Sequence, residues 1–273
     1  MKKIWVLVLL SAFLVAGGIH KEKVFKVTEP PVLHLRIVSG KIVVKQWDKK
    51  EVKVSLKVKY WGETPEIELY SEGNDIFVKV KNPRKFCFFC NRKSPRAFLE
   101  VYTPEGYSGK ISAVSGDVYV EGKVVYLYTS TVSGNVVFNE IMGKKVKFTS
   151  VSGDIRGKSV ICDNLFVETV SGDVTMENFI APEIKFETVS GDVRLNTEKA
   201  DFDEGCWKIS SVSGDIEVFF SRPPRISYLK VKTLSGDIKI GRQYIKGTLK
   251  EKRGDKGISI KISSVSGDVV LKY

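Results

Sequence analysis

One short motif recurs through the second half of the chain and limits what it can fold into. It reads "AVSGDVYV" around Ser115, "TVSGNVVF" around Ser133, "SVSGDIRG" around Ser152 and "TVSGDVTM" around Ser171. It continues as "TVSGDVRL" (Ser190), "SVSGDIEV" (Ser213), "TLSGDIKI" (Ser235) and "SVSGDVVL" (Ser266), and a degenerate copy, "IVSGKIVV", centres on Ser39. From Ser115 onward the serines are spaced by 18, 19, 19, 19, 23, 22 and 31 residues. A repeat near twenty residues is the signature of a solenoid, in which each unit buries its apolar face only by stacking on its neighbours.

The pattern inside each unit has the period of a strand. Four and six residues before the serine stand pairs such as Phe148/Val146, Phe186/Ile184 and Ile209/Trp207; three and five after it stand Val136/Phe138, Val193/Leu195 and Ile238/Ile240. Apolar residues two apart mark one buried strand face. The inward position just before the corner is Thr, Ser or Ala, which suits a narrowing cross-section. Each unit therefore reads as strand, Ser-Gly-Asp corner and strand, closed by a looser return such as "KSVICDN". So short a unit cannot cover a core alone. Stacking equivalent strands in parallel, ~4.8 Å apart, pairs every backbone group with the units above and below. The expected fold is all-β, a single-stranded parallel β-helix of roughly 18–23-residue coils, about 40 Å long over eight coils and right-handed, as strand–crossover–strand units are.

The tripeptide itself reads as structure. Its members are Ser115, Gly116 and Asp117; Ser152, Gly153 and Asp154; Ser171, Gly172 and Asp173; and Ser190, Gly191 and Asp192. Ser213, Gly214 and Asp215, then Ser235, Gly236 and Asp237, then Ser266, Gly267 and Asp268 complete the set. Glycine supplies a positive φ, and the Asp and Ser side chains hold nearby turn backbone. Stacked carboxylates repel by about 0.9 kcal/mol in water at ~4.8 Å, so they must face water or meet hydroxyls, amides or cations. A calcium ladder would need six to eight oxygens per ion, and Asn135 and Lys41 replace the aspartate in two copies. No metal or other cofactor is expected. Catalysis by the serines is not expected either, because His20 and His34 are the only histidines and both lie upstream of the regular coils.

The chain opens "MKKIWVLVLLSAFLVAGGIHKEK", a basic start, an apolar stretch and small residues Ala16-Gly17-Gly18, as in a secretory signal peptide over residues 1–18. The rival reading is an uncleaved anchor. The first cysteine is Cys87, so no lipid-attachment cysteine stands at the cleavage position. The expected location is outside the cytoplasm: periplasmic, cell-surface or secreted. Residues 24–110 read as less regular strands that cap the solenoid, and residues 111–273 as the regular β-helix. The net charge is +12 and unevenly placed: residues 21–110 carry 19 basic and 11 acidic groups, 111–227 carry 12 and 17, and 228–273 carry 11 and 4. A basic patch attracts anionic polysaccharide, lipid headgroups or nucleic acid; the expected partners are anionic polysaccharide, lipid headgroups or an envelope protein, with no specific nucleic acid.

Two insertions interrupt the rhythm. Residues 82–96, "NPRKFCFFCNRKSPR", interleave Arg84, Lys85, Arg92 and Lys93 with Phe88 and Phe89 around Cys87 and Cys90. A second metal-ligand pair is not evident, and an exported chain favours a Cys87–Cys90 disulfide. Residues 241–257 read as a loop carrying Arg242, Lys246, Lys250 and Arg253. Both are candidate ligand loops. The chain ends in the coil "SVSGDVVLKY", and an uncovered last coil would invite self-association through that edge.

Together the repeated "VSGDV/I" rungs, the segment Gly40 to Asp48 and the Pro104–Gly106 turn resemble the bacterial "putative adhesin" family of domains of unknown function. That resemblance covers roughly residues 30–273 and implies a β-helix. It implies little about activity, since architecture does not transmit function. The leading expectation is a non-catalytic envelope binding protein that meets an anionic surface or polymer through basic loops. A self-assembling structural protein of the periplasm is the second reading, and a β-helical polysaccharide-active enzyme the third.

Overall fold

The structure is a computed structural model that describes residues 13–15, 18–61, 63–82 and 94–273. Among the described residues all regular structure is β-strand, arranged as a solenoid-like parallel β fold. Equivalent strands pair in parallel at a shift of one repeat. Leu165 lies between Val146 and Ile184, Ser171 between Ser152 and Ser190, and Val174 between Ile155 and Val193. Every apolar position read from the motif is buried, from Val146 and Phe148 through Ile260 and Ile262. The small inward hydroxyls Ser150, Thr169, Thr188 and Ser211 are buried as well. Among the described residues Trp207 is the largest fully buried side chain, and its Nε1–H donates to the Ala181 carbonyl at 3.1 Å.

The stacking order differs from the order along the chain. Ser213 pairs with Ser266, and Ser266 pairs with Ser235. The last coil in the sequence, Gly257–Ser266 with Val269–Lys272, therefore sits inside the stack, between the Ser213 and Ser235 coils. The expected free C-terminal edge does not exist. All coils offer the same apolar face, so strand pattern alone cannot say which one fills a level.

The expected loop 241–257 is also corrected. Its strand Gln243–Lys252 runs antiparallel along Ile226–Ile240, following both arms of that coil from Ile240↔Gln243 to Tyr228↔Lys252. It covers the outermost coil before the chain turns back into the gap below. The turn is tight and local, at Gly241 (φ 58°) and Arg242, so a hairpin forms where the coil pattern predicts none.

At the other end, Val32–Gln46 pairs in parallel with Tyr107–Ser133 on one side and with Asp75–Lys81 and Arg96–Thr103 on the other. Ser39 stands opposite Ser115. Beyond that level the pairing turns antiparallel: Glu66–Glu72 on Asp75–Lys81, and Glu51–Lys59 on Arg96–Thr103. Gly18–Lys26 then lies on Glu51–Lys59, and Phe13–Val15 on residues 18–20. Most of residues 1–18 lies outside the described residues.

Candidate functional site: corner column and basic capped end

The corners form one continuous column. From Gly134 to Gly267 the corner glycines have φ between 135° and 149°, a region that residues with a Cβ avoid; Gly116 alone lies outside it. Space excludes a side chain at every level. A Cβ on Gly191 would stand 2.3 Å from the Gly172 carbonyl oxygen, and one on Gly116 2.5 Å from that of Gly40.

The aspartates work between coils rather than within their own turn. The Asp173 N–H donates to Asp154 Oδ1 at 3.0 Å, Asp192 N–H to Asp173 Oδ1 at 2.9 Å, and Asp215 N–H to Asp192 Oδ1 at 3.0 Å. The ladder continues through Asp268 and Asp237, at 2.8 Å each, in the stacking order and not the sequence order. Asn135 fits without a charge: it accepts from Asp154 N–H at 3.0 Å while its own N–H donates to Asp117 Oδ1 at 2.9 Å. Backbone amides thus meet the stacked carboxylates, helped by Arg156 on Asp154 (2.6 Å) and Arg194 on Asp192 (2.7 Å). Among the described residues no group of three or more His, Cys, Asp or Glu is placed to hold a metal ion. His34 bonds Asp75 at 2.9 Å and stacks on Phe77.

Two outward columns run beside the corners. Five residues before the serine stand Lys147, Lys185, Lys208, Lys261 and Lys230, with Phe166 between the first two. Lys185, Lys208, Lys261, Lys230 and Lys250 are directly opposite one another in the sheet. Lys147 and Lys185 are neutralised by Glu168 and Glu187. Lys208, Lys261, Lys230 and Lys250 have no ion pair among the described residues. Like charges directly opposite destabilise a sheet. One residue before the serine stands an aliphatic ridge of Val114, Val132, Val151, Val170, Val189, Val212, Val265 and Leu234. Each valine is between 41 and 49 % exposed, and Leu234 is 76 % exposed. Neither column was singled out from the sequence. The fixed offset of both columns from the serine was the signal that could have found them.

The capped end carries a further group of cations. Lys250 lies opposite Lys230, Lys246 opposite Asp237, and Lys232 opposite Thr248. Arg242 occupies the turn, and Lys239 Nζ sits 5.1 Å from the ring centre of the exposed Tyr244. Arg253 is held in place: Nε donates to Glu251 at 2.8 Å and Nη1 to the Tyr273 hydroxyl at 3.0 Å. Of the second set of predicted ligand residues, Arg242, Lys246 and Lys250 thus lie on one hairpin with Lys230, Lys232 and Lys239, and Arg253 is tied to Glu251 and Tyr273 beside them. The first set, Arg84, Lys85, Phe88, Phe89, Arg92 and Lys93, lies outside the described residues with Cys87 and Cys90. Cys162 is buried, and burial pushes its thiol up to about 12. At the opposite end a cleft of about 540 Å³ is lined by Trp47, Asp48, Lys49, Pro30, Pro104 and Glu105. Trp47 Nε1–H is spent on the Glu51 carbonyl at 2.8 Å.

Solved structures that share this architecture include the following two. One is described as a putative adhesin from Bacteroides fragilis, 13 % identical over 93 % of this chain and 97 % of that one, with a TM-score of 0.55. The other is described as a putative lipid binding protein from Parabacteroides distasonis, 17 % identical over 93 % and 96 %, with a TM-score of 0.51. At such identities the likeness is one of fold. No curated protein matches the chain. The family model described as Toastrack DUF4097 matches residues 33–272, the whole parallel stack, and the chain belongs to that family.

Proposed function

We propose that this is a non-catalytic binding protein of the cell envelope, wound as a right-handed single-stranded β-helix, that contacts an anionic surface or polymer through its basic capped end. Export is supported by the N-terminal run "MKKIWVLVLLSAFLVAGG". The observation that carries the ligand class is the lysine row Lys208–Lys261–Lys230–Lys250, in register and without an ion pair among the described residues. Such a row costs stability in the free protein, and an anion laid across it offsets the cost. The hairpin Ile226–Ile240/Gln243–Lys252 adds Lys232, Lys239, Lys246 and Arg242 around Tyr244 and Leu234, a basic surface with apolar points suited to an acidic glycan or a headgroup layer.

The test is binding of the mature protein to an acidic polysaccharide and to anionic vesicles across a salt series. Binding strong at low salt and screened above ~0.15 M is expected. The double variant Lys246→Gln/Lys250→Gln should weaken it by about 2 kcal/mol, roughly thirtyfold, at about 1 kcal/mol per cation. Absence of binding to either at low salt would remove the reading.

A further inference from the structure

We infer that the aliphatic ridge is the contact surface of a parallel, two-fold symmetric pair of these chains. The ridge is continuous through eight levels of the stack; on one side a mostly hydroxyl column three residues before the serine, with Glu168, Glu187 and Lys232 in it, separates the ridge from the lysine column, and on the other side, across the corner, stands the aspartate column. At ~4.8 Å per level and ~3.3 Å per residue, the strip between the charged columns covers roughly 700 Å² per copy, close to one side of a standard stable interface.

Charge selects a second copy of this chain as the occupant, and one orientation of it. A two-fold axis parallel to the stack turns the partner so that its aspartate side faces the lysine side of the first copy, level for level. An axis crossing the ridge would set lysine against lysine. In the parallel pair, the residue five before each serine meets the residue two after the same serine on the partner. Within one chain those two positions make no ion pair with each other, yet they change together from coil to coil. Lysine at the first position accompanies aspartate at the second in all six coils that have it, for example Lys208 with Asp215 and Lys261 with Asp268. The neutral Tyr128 accompanies the neutral Asn135; Phe166 with Asp173 is the exception, and the degenerate Ser39 copy has His34 with Lys41.

In-chain pairing follows the same division. Where the lysine is already neutralised, as at Lys147 and Lys185, the aspartate of that coil holds an arginine. In the coils of Ser115, Ser213, Ser266 and Ser235, neither the lysine nor the aspartate has an ion pair among the described residues. Four coils therefore keep both charges available for a partner. The pairing takes up Lys208, Lys261 and Lys230 of the row described above, so in the pair the anionic contact falls to Lys250, Lys246, Lys239 and Arg242 of each capped end, and the two ends act as a bivalent surface.

Sedimentation equilibrium of the mature protein tests the pair. The expected result is a dimer that V189D and the triple variant V170S/V189S/V212S convert to monomer, raising the dissociation constant at least about tenfold; at dilutions where the wild type is itself monomeric the thermal midpoint stays unchanged, since these side chains face outward. Orientation is read by oxidation: V132C and V212C should each form a disulfide with its own counterpart. A monomer at all concentrations overturns the inference. So does a dimer indifferent to the ridge variants, or V132C bonding only V212C in a mixture. Vesicle capture by a monomer that the ridge variants abolish would assign the ridge to lipid instead.

Discussion

At the scale of the residue, two members of the corner tripeptide do separable work. Glycine is required twice over, by φ near 140° and by a neighbouring carbonyl at 2.2–2.5 Å from any Cβ. Gly191→Ala should therefore cost roughly 3 kcal/mol or more, or prevent folding, as read by calorimetry. Aspartate is required only as an acceptor. Asp173→Asn should leave the melting temperature nearly unchanged, because Asn135 already plays that part. Asp173→Ala, which strands the Asp192 N–H, should cost about 1–3 kcal/mol. Equal losses in the two aspartate variants would show that charge, not hydrogen bonding, matters there. Cys162 gives a check on the core: burial holds its pKa far above neutral, so the thiol stays protonated and unreactive. A thiol reagent at pH 8 should modify it only after denaturation, and rapid native labelling would contradict its burial. The need for glycine was legible in the repeat. The ladder between coils was not, because a side chain two residues past a turn can bond either its own turn or the next level.

At the scale of the element, strand, corner and strand followed from the period of two and the recurring tripeptide. The capping strand did not. "GRQYIKGTLKEKRGDKG" has the composition of a solvated loop, and its pairing with Ile226–Ile240 leaves most of its side chains exposed. An end coil presents unpaired amides and carbonyls that another chain could extend. Gln243–Lys252 occupies that edge and turns a lysine-rich, glycine-broken strand outward, with Gly247 at φ 85°. Replacing residues 242–255 by a short turn should therefore convert a defined species into end-to-end assemblies whose light scattering grows with concentration. An unchanged size distribution would mean that this strand does not guard the end.

At the scale of the whole molecule, the parallel stack was legible because every coil repeats the same buried positions, and the order of the coils was hidden for the same reason. Ser266 fits the level between Ser213 and Ser235 as well as it would fit the end. This insertion makes the C-terminus a keystone. In a solenoid each unit is stabilised by its neighbours, so removal of residues 257–273 should do more than shorten the rod. It should also release Ile226–Lys252, seen as loss of amide protection in that segment by hydrogen exchange, with the Ser152–Ser190 coils still protected. The basic surface was visible as an excess of charge over residues 228–273, but its assembly into one row required the pairing of Lys230 with both Lys261 and Lys250.

The central claim, that the tripeptides form one in-register column in this particular order, is tested most directly by engineered cross-links. Under mild oxidation at low concentration, the S213C/S266C variant should form an intramolecular disulfide, identified by peptide mapping, because those residues are opposite one another. S213C/S235C should not, since a full coil separates them. A bond between 213 and 235 in place of 213 and 266 would show a stack in sequence order and contradict the account.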